Sequence, residues 1–153
     1  MILLWMLLIP VAMAGLIVFV PDEQPVLTRF FALFGSLVVL ALGVVLWVLY
    51  PAGHSGYLNG YWTELQWTWF PEPLGATFYL GIDGISLVFV VLSALLSVLC
   101  VMFSWGRVVE KERGYYISLL LVTTAMIGIF VARDLLLFYL FWEAVLLPMY
   151  FLV

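Results

Sequence analysis

The chain has 153 residues, of which 67% are hydrophobic and 9% are charged. Soluble domains carry about 25% charged residues, so this composition excludes a soluble protein and indicates an integral membrane protein. The net charge is −4, and no basic cluster points to nucleic acid or an anionic lipid surface as the main partner. Cys100 and His54 are the single cysteine and histidine, which excludes an intrachain disulfide and most haem or transition-metal sites.

Five apolar stretches approach the ~20 residues that a helix needs to cross the hydrocarbon. They predict an all-α, polytopic membrane protein with about five transmembrane helices in a single domain, residues 1–153. The predicted spans are residues 2–20, 30–50, 84–105, 115–132 and 135–153, and an outer loop covers 51–83. Pro21 and Pro51 are expected to end the first two helices, because proline cannot continue a helix cheaply.

The distribution of basic residues predicts the orientation. Arg29 lies in the first loop and Arg107, Lys111 and Arg113 lie in the third, whereas the opposite side holds Arg133. Because cytoplasmic loops carry an excess of Lys and Arg, we expect the first and third loops in the cytoplasm. The N-terminus would then lie outside, and the fifth helix would end at the cytoplasmic face.

The outer loop is rich in tryptophan and tyrosine, as is typical of the membrane–water interface. Apolar and polar residues alternate over Glu64–Phe70, which is the period of a β-strand. We therefore predict a short hairpin that lies on the outer surface.

Glu143 is the most informative residue, because it lies inside the apolar run at 135–153. It is roughly 13 Å into its helix at 1.5 Å per residue, close to the middle of a ~30 Å core. An ionised side chain there costs roughly 2.5–3.5 kcal/mol, so such a residue predicts a proton or ion pathway. The alternative is a protonated glutamic acid that only supports packing.

Four further residues are candidates for supporting roles. Pro148 follows Glu143 at i+5, and its missing N–H predicts a kink and a free carbonyl at Ala144. Arg133 and Asp134 are adjacent at the outer start of the fifth helix, and Asp83 precedes the third helix. For Asp134 and Asp83 the favoured interpretation is helix capping.

Small polar residues on the third and fourth helices predict close helix packing. Ser93 and Ser97 form a small-xxx-small pair, and Thr123 and Thr124 follow on the next helix.

Two stretches of the sequence resemble a known family. Leu80–Phe89 (LGIDGISLVF) and Ala132–Leu152 (ARDLLLFYLFWEAVLLPMYFL) resemble the proton-translocating, antiporter-like membrane subunits of respiratory complex I. Among these subunits, the two stretches most resemble the family of chain M and subunit 4. The second stretch is the more specific, because it combines Ala-Arg-Asp-Leu, an aromatic half helix, Glu143 and Pro148.

The resemblance implies that Glu143 carries protons and pairs with a lysine on a later helix that this chain lacks. The family's fold has about fourteen helices, in repeated units as in many transporters. We therefore expect an N-terminal fragment that does not pump protons alone. The resemblance also implies a bacterial inner membrane, other membrane subunits as partners, and NADH, flavin, iron–sulfur clusters and quinone in those partners. No cofactor and no redox active site are expected in this chain.

Two alternatives remain open on the sequence. Multisubunit cation/proton antiporters and membrane-bound hydrogenases share the glutamate motif, so the chain fits a subunit of either. A membrane scaffold or truncated product, in which Glu143 is a packing residue, is the alternative from a different class.

Overall fold

The structure is a computed structural model that describes residues 1–21, 23–50, 62–69, 77–107 and 111–152. These residues form five helices and one two-stranded sheet. The elements are α1 (Ile2–Val18), α2 (Pro25–Leu49), β1 (Trp62–Thr68), β2 (Thr77–Ile82), α3 (Gly84–Phe103), α4 (Glu112–Val131) and α5 (Leu135–Leu152). Residues 51–61, 70–76 and 153, which belong to the predicted outer loop and fifth span, lie outside the described residues.

By length and composition, α2, α3, α4 and α5 can each cross a membrane. The first helix, α1, has 17 residues and is therefore about 26 Å long at 1.5 Å per residue. The predicted polytopic, mainly helical architecture is thus confirmed for the described part of the chain.

Two helices begin earlier than the hydropathy pattern predicts. The second begins at Pro25 rather than residue 30, and the fourth at Glu112 rather than residue 115. Both extra turns carry a charge, Arg29 and Glu112, and these side chains form a two-point ion pair whose second contact is 3.1 Å long. Hydropathy counts such residues as loop, but paired charges at the membrane edge allow the helices to extend.

The hairpin predicted at 64–70 is present, as β1 and β2 pair in antiparallel fashion. Leu65 pairs with Leu80 and Trp67 with Phe78. The hairpin does not merely lie on the surface, because Leu80 and Ile82 are fully buried against the helices. An isolated bridge joins Leu80 to Ala132, so the α4–α5 turn lies beside β2.

The helix α4 lies at the centre of the bundle and packs against α1, α2, α3 and α5. The contact with α5 is unusually close at Gly128, where a Cβ atom would lie 2.3 Å from the Phe141 ring. Leu137 and Pro148 are the buried residues of α5, so most of that helix faces away from the bundle.

Three buried hydroxyls join α2, α3 and α4. Thr123 Oγ1 lies 2.8 Å from Ser97 Oγ, which lies 3.2 Å from Ser36 Oγ. Each hydroxyl has one hydrogen, and one arrangement that uses all three has Thr123 donate to Ser97, Ser97 to Ser36, and Ser36 to the Ala32 carbonyl. The Thr123 hydroxyl also lies 2.8 Å from the Leu119 carbonyl of its own helix, a second acceptor for the same hydrogen. Ser97 and Thr123 therefore do more than allow close packing, and Ser36 was not anticipated.

This network predicts a measurable coupling between Ser97 and Thr123. In a double-mutant cycle with Ser97→Ala and Thr123→Val, we expect about 0.6 kcal/mol, the typical value for hydrogen bonds between membrane helices. The measurement is the free energy of unfolding in detergent. Ser93→Ala is the matched control, because its hydroxyl donates to the Phe89 carbonyl of its own helix at 2.8 Å. Equal coupling for both serines would contradict the network.

Candidate functional site

Glu143 lies near the middle of α5, which has 18 residues, on the side that faces away from the bundle. Tyr139 lies one helical turn before Glu143, on the same exposed side of α5. No basic side chain within the described ranges forms an ion pair with Glu143. The carboxylate is therefore presented outward from this bundle.

The surface around Glu143 is apolar and aromatic. Phe138 and Trp142 lie one against the other, with ring centroids 6.1 Å apart. The exposed large side chains of this helix are Leu135, Leu136, Phe138, Tyr139, Leu140, Trp142, Leu146, Leu147, Met149, Tyr150 and Phe151. A carboxylate among such residues is costly in hydrocarbon, so this face suits contact with further helices or a hydrated cavity.

Pro148 lies inside α5, and the helix continues through it to Leu152. Its ring nitrogen has no hydrogen, so the Ala144 carbonyl lacks the usual helical donor. Ala144 directly follows Glu143 in the chain. An acceptor and a titratable carboxylate therefore occupy adjacent positions at mid-helix.

Asp134 links α5 to the hairpin through a set of hydrogen bonds, which we call the first clasp. One carboxylate oxygen accepts from the backbone N–H groups of Leu136 at 2.9 Å and Leu137 at 3.3 Å. The other accepts from the N–H and the hydroxyl of Thr77, each at 3.1 Å. The predicted capping of the fifth helix is confirmed, and the tie to the hairpin was not anticipated.

Arg133 forms a second clasp with the start of α3. Its guanidinium lies 3.1 Å from Asp83 Oδ2 and donates to the Gly81 carbonyl and the Ser86 hydroxyl. Asp83 and Ser86 form a capping box, in which the Asp83 carboxylate accepts from the Ser86 N–H and the Ser86 hydroxyl oxygen accepts from the Asp83 N–H. The predicted cap at Asp83 is therefore confirmed.

Both clasps favour ionised carboxylates. Partial burial opposes the charge on Asp83, but hydrogen bonds from Ser86 and the Arg133 charge outweigh it and hold the pKa below 3.8. At Asp134 burial is likewise outweighed, here by hydrogen bonds from Thr77, Leu136 and Leu137, and the pKa is again lowered.

These lowered pKa values predict that the hairpin loosens in acid. A carboxylate with a depressed pKa adds stability above about pH 3.9, the unfolded value, and that stability is lost as the pH falls through the folded pKa. We expect the protection factors of the β2 amides, which compare each exchange rate with the intrinsic rate at the same pH, to fall below about pH 4. Asp134→Asn should lower these protection factors at neutral pH and flatten their acid dependence, whereas Glu23→Gln, a surface control, should not. If the hairpin amides were equally protected from exchange at all pH values, that result would contradict a stabilising role of the ionised carboxylates in the two clasps.

The structure separates the candidates into two groups. Asp83, Arg133 and Asp134 converge at one end of the bundle. Glu143 lies further along α5, about 13 Å from Asp134 at a rise of 1.5 Å per residue. The clasps thus position the helix that carries Glu143 without touching that residue. Sequence reasoning missed Tyr139 as the neighbour of Glu143, although its i−4 spacing was a visible signal.

Comparison with known proteins gives a consistent family. NADH-quinone oxidoreductase subunit M of Escherichia coli (strain K12) is 37% identical over 156 residues, which cover 100% of this chain and 30% of the relative. Subunit M of Pseudomonas aeruginosa is 36% identical over 159 residues, with the same coverage of both chains. NADH-ubiquinone oxidoreductase chain 4 of Arabidopsis thaliana is 33% identical over 148 residues, covering 97% of this chain and 29% of the relative.

A solved structure shares the fold. A chain of the archaeal membrane-bound sulfane sulfur reductase, a respiratory membrane complex, aligns with a TM-score of 0.75 and 18% identity. The match covers 97% of this chain and 29% of that chain. No family model matches the sequence.

The chain spans about 30% of the length of the curated relatives it matches. Their identities exceed 30% and extend over almost the whole chain. The resemblance found in the two sequence stretches is therefore confirmed: the chain belongs to the family of NADH-quinone oxidoreductase subunit M and NADH-ubiquinone oxidoreductase chain 4.

Proposed function

We propose that this chain forms part of a membrane subunit that couples NADH-driven quinone reduction to proton transfer, with Glu143 as a proton-carrying carboxylate. The observation that carries the proposal is the position of Glu143, at mid-helix on the outward face of α5. The relatives named NADH-quinone oxidoreductase subunit M support the assignment to this class of complex.

The chemistry requires a cation that approaches and leaves the carboxylate. Removal from water favours the protonated carboxyl group, and an adjacent cation favours the ionised one. Moving one elementary charge through 100 mV costs about 2.3 kcal/mol, so the cation must change the proton affinity by a comparable free energy. The outward face of α5 leaves Glu143 accessible to a lysine from another helix, the partner that the family resemblance implies.

The redox chemistry is assigned to partner subunits. The chain has one cysteine and one histidine, too few ligands for an iron–sulfur cluster or for most haem sites. NADH, flavin, iron–sulfur clusters and quinone would all bind elsewhere in the complex. This chain would then respond to their reaction through conformation or electrostatics.

The proposed orientation rests on the two ends of the bundle. Arg29, Arg107, Lys111 and Arg113 lie at the end where α2 and α4 begin, and the hairpin lies at the other end. Basic residues favour the cytoplasmic side, so the N-terminus and hairpin face outward in a bacterial cytoplasmic membrane.

Infrared difference spectroscopy tests the proposed protonation change directly. Spectra recorded between the oxidised and NADH-reduced complex should contain a band from a protonated carboxyl group. Glu143→Gln should remove that band, and Glu23→Gln should leave it in place. An identical spectrum from the Glu143→Gln protein would contradict a proton-carrying role and favour a scaffold in which Glu143 only packs.

A further inference from the structure

A crevice opens at the end of α3 that lies opposite the hairpin. Its volume is about 590 Å³, within the ~300–1,000 Å³ typical of small-molecule sites. The apolar lining is Leu99, Cys100, Met102 and Phe103, and the polar lining is Ser104 and Tyr115. The two hydroxyls of the polar lining are hydrogen-bonded to each other at 2.6 Å.

A cation lies beside this crevice, against one of its lining residues. The guanidinium of Arg107 lies over the Phe103 ring, 4.1 Å from its centroid. Gly106 has φ = +74°, a conformation that glycine adopts without strain, and it turns the chain so that Arg107 folds back over the last turn of α3. Among the described residues, no carboxylate forms an ion pair with Arg107.

Two neighbouring arginines already have hydrogen-bond partners within the protein. Arg29 is paired with Glu112, and Arg113 donates to the carbonyls of Val18 and Val20 at the end of α1. Arg107 thus combines an aromatic contact with donors that remain available to an anion. Guanidinium groups bind phosphate through directed, charge-assisted hydrogen bonds.

We propose that the crevice binds one anionic phospholipid. An acyl chain lies against Leu99, Met102 and Phe103, all exposed on the outward side of α3, and the phosphate contacts Arg107 at the helix end. This order, apolar along the helix and cationic just beyond its end, matches the order of chain and headgroup in a lipid. The site is one cation beside a crevice, distinct from the polybasic surface that the composition excludes.

Photo-crosslinking tests the proposal in phosphatidylcholine vesicles that hold the full chain with any subunits that copurify. A trace of diazirine-labelled phosphatidylglycerol is added, and crosslinks to residues 99–107 are quantified by peptide mass spectrometry. Arg107→Gln should lower the yield about fivefold, the effect of one cation at an anionic membrane surface. Lys111→Gln, which removes a charge from the same loop, should not lower it.

A second pair of variants tests the apolar part of the site. Cys100→Trp should fill the crevice and abolish the crosslink, whereas Val88→Trp, at the other end of the exposed side of α3, should have no effect. Equal crosslinking by labelled phosphatidylcholine would show ordinary boundary lipid and overturn the proposal. Crosslinks from labelled phosphatidylglycerol that fall elsewhere on the protein and leave residues 99–107 unlabelled would overturn it as well.

Discussion

Replacing Glu143 by glutamine is expected to lower NADH-driven proton translocation to less than about a tenth of the wild-type rate, since a positioned proton-transfer group typically contributes at least a hundredfold. Glutamine keeps the size and polarity of the side chain but cannot ionise. The measurement is the initial rate of proton uptake into vesicles that hold the assembled complex, with the amount of complex determined separately.

Two variants separate the loss of a proton carrier from a loss of structure. Glu143→Asp keeps the carboxylate one methylene shorter and should retain part of the rate. Glu23→Gln removes an exposed carboxylate outside the helices and should retain all of it. Unchanged proton translocation in the Glu143→Gln variant would contradict the proposed role of Glu143. Loss of assembly of the complex in that variant would support the alternative in which Glu143 only packs.

Replacing Gly128 by alanine is expected to destabilise the α4–α5 contact by about 1–3 kcal/mol, the usual cost of overpacking a tight core. The added Cβ atom would lie 2.3–2.5 Å from three atoms of the Phe141 ring, so the ring or the whole of α5 must move. Because α5 carries Glu143, proton translocation should fall together with the free energy of unfolding.

The chain supplies its own controls for this substitution. Gly114, on the same helix, and Gly15, on α1, have no atom within 4 Å of an added Cβ atom. Alanine at either position should leave stability unchanged or raise it, because alanine favours helix over glycine by about 1 kcal/mol. Phe141→Leu should partly rescue Gly128→Ala. Equal effects of alanine at Gly128 and Gly114 would contradict the close approach.

The tertiary structure changes the role assigned to the residues around the hairpin. From sequence, Asp83 and Asp134 were interpreted as caps, which is correct because capping depends on a side chain and the backbone two or three residues later. Their ties to Arg133 and Thr77 join residues about 50 positions apart in the chain. Such contacts depend on how the hairpin packs on the helices, and no local pattern encodes that.

The sequence by itself determined that this is a membrane protein with about five helices, a hairpin and one carboxylate in the middle of the fifth helix. Those features follow from local physics: the length of apolar runs, a period of two residues, and the cost of charge in hydrocarbon. The family also followed from the sequence, because two stretches carry its motifs.

Only the tertiary structure decided which faces meet. It placed α4 at the centre, linked Ser36, Ser97 and Thr123 across three helices, and turned Glu143 away from the bundle. Hydrophobic periodicity could not reveal these choices, because a membrane helix is apolar on all sides and its lipid-facing and buried residues look alike. Packing of small and large side chains, as at Gly128 and Phe141, selects the contacts instead.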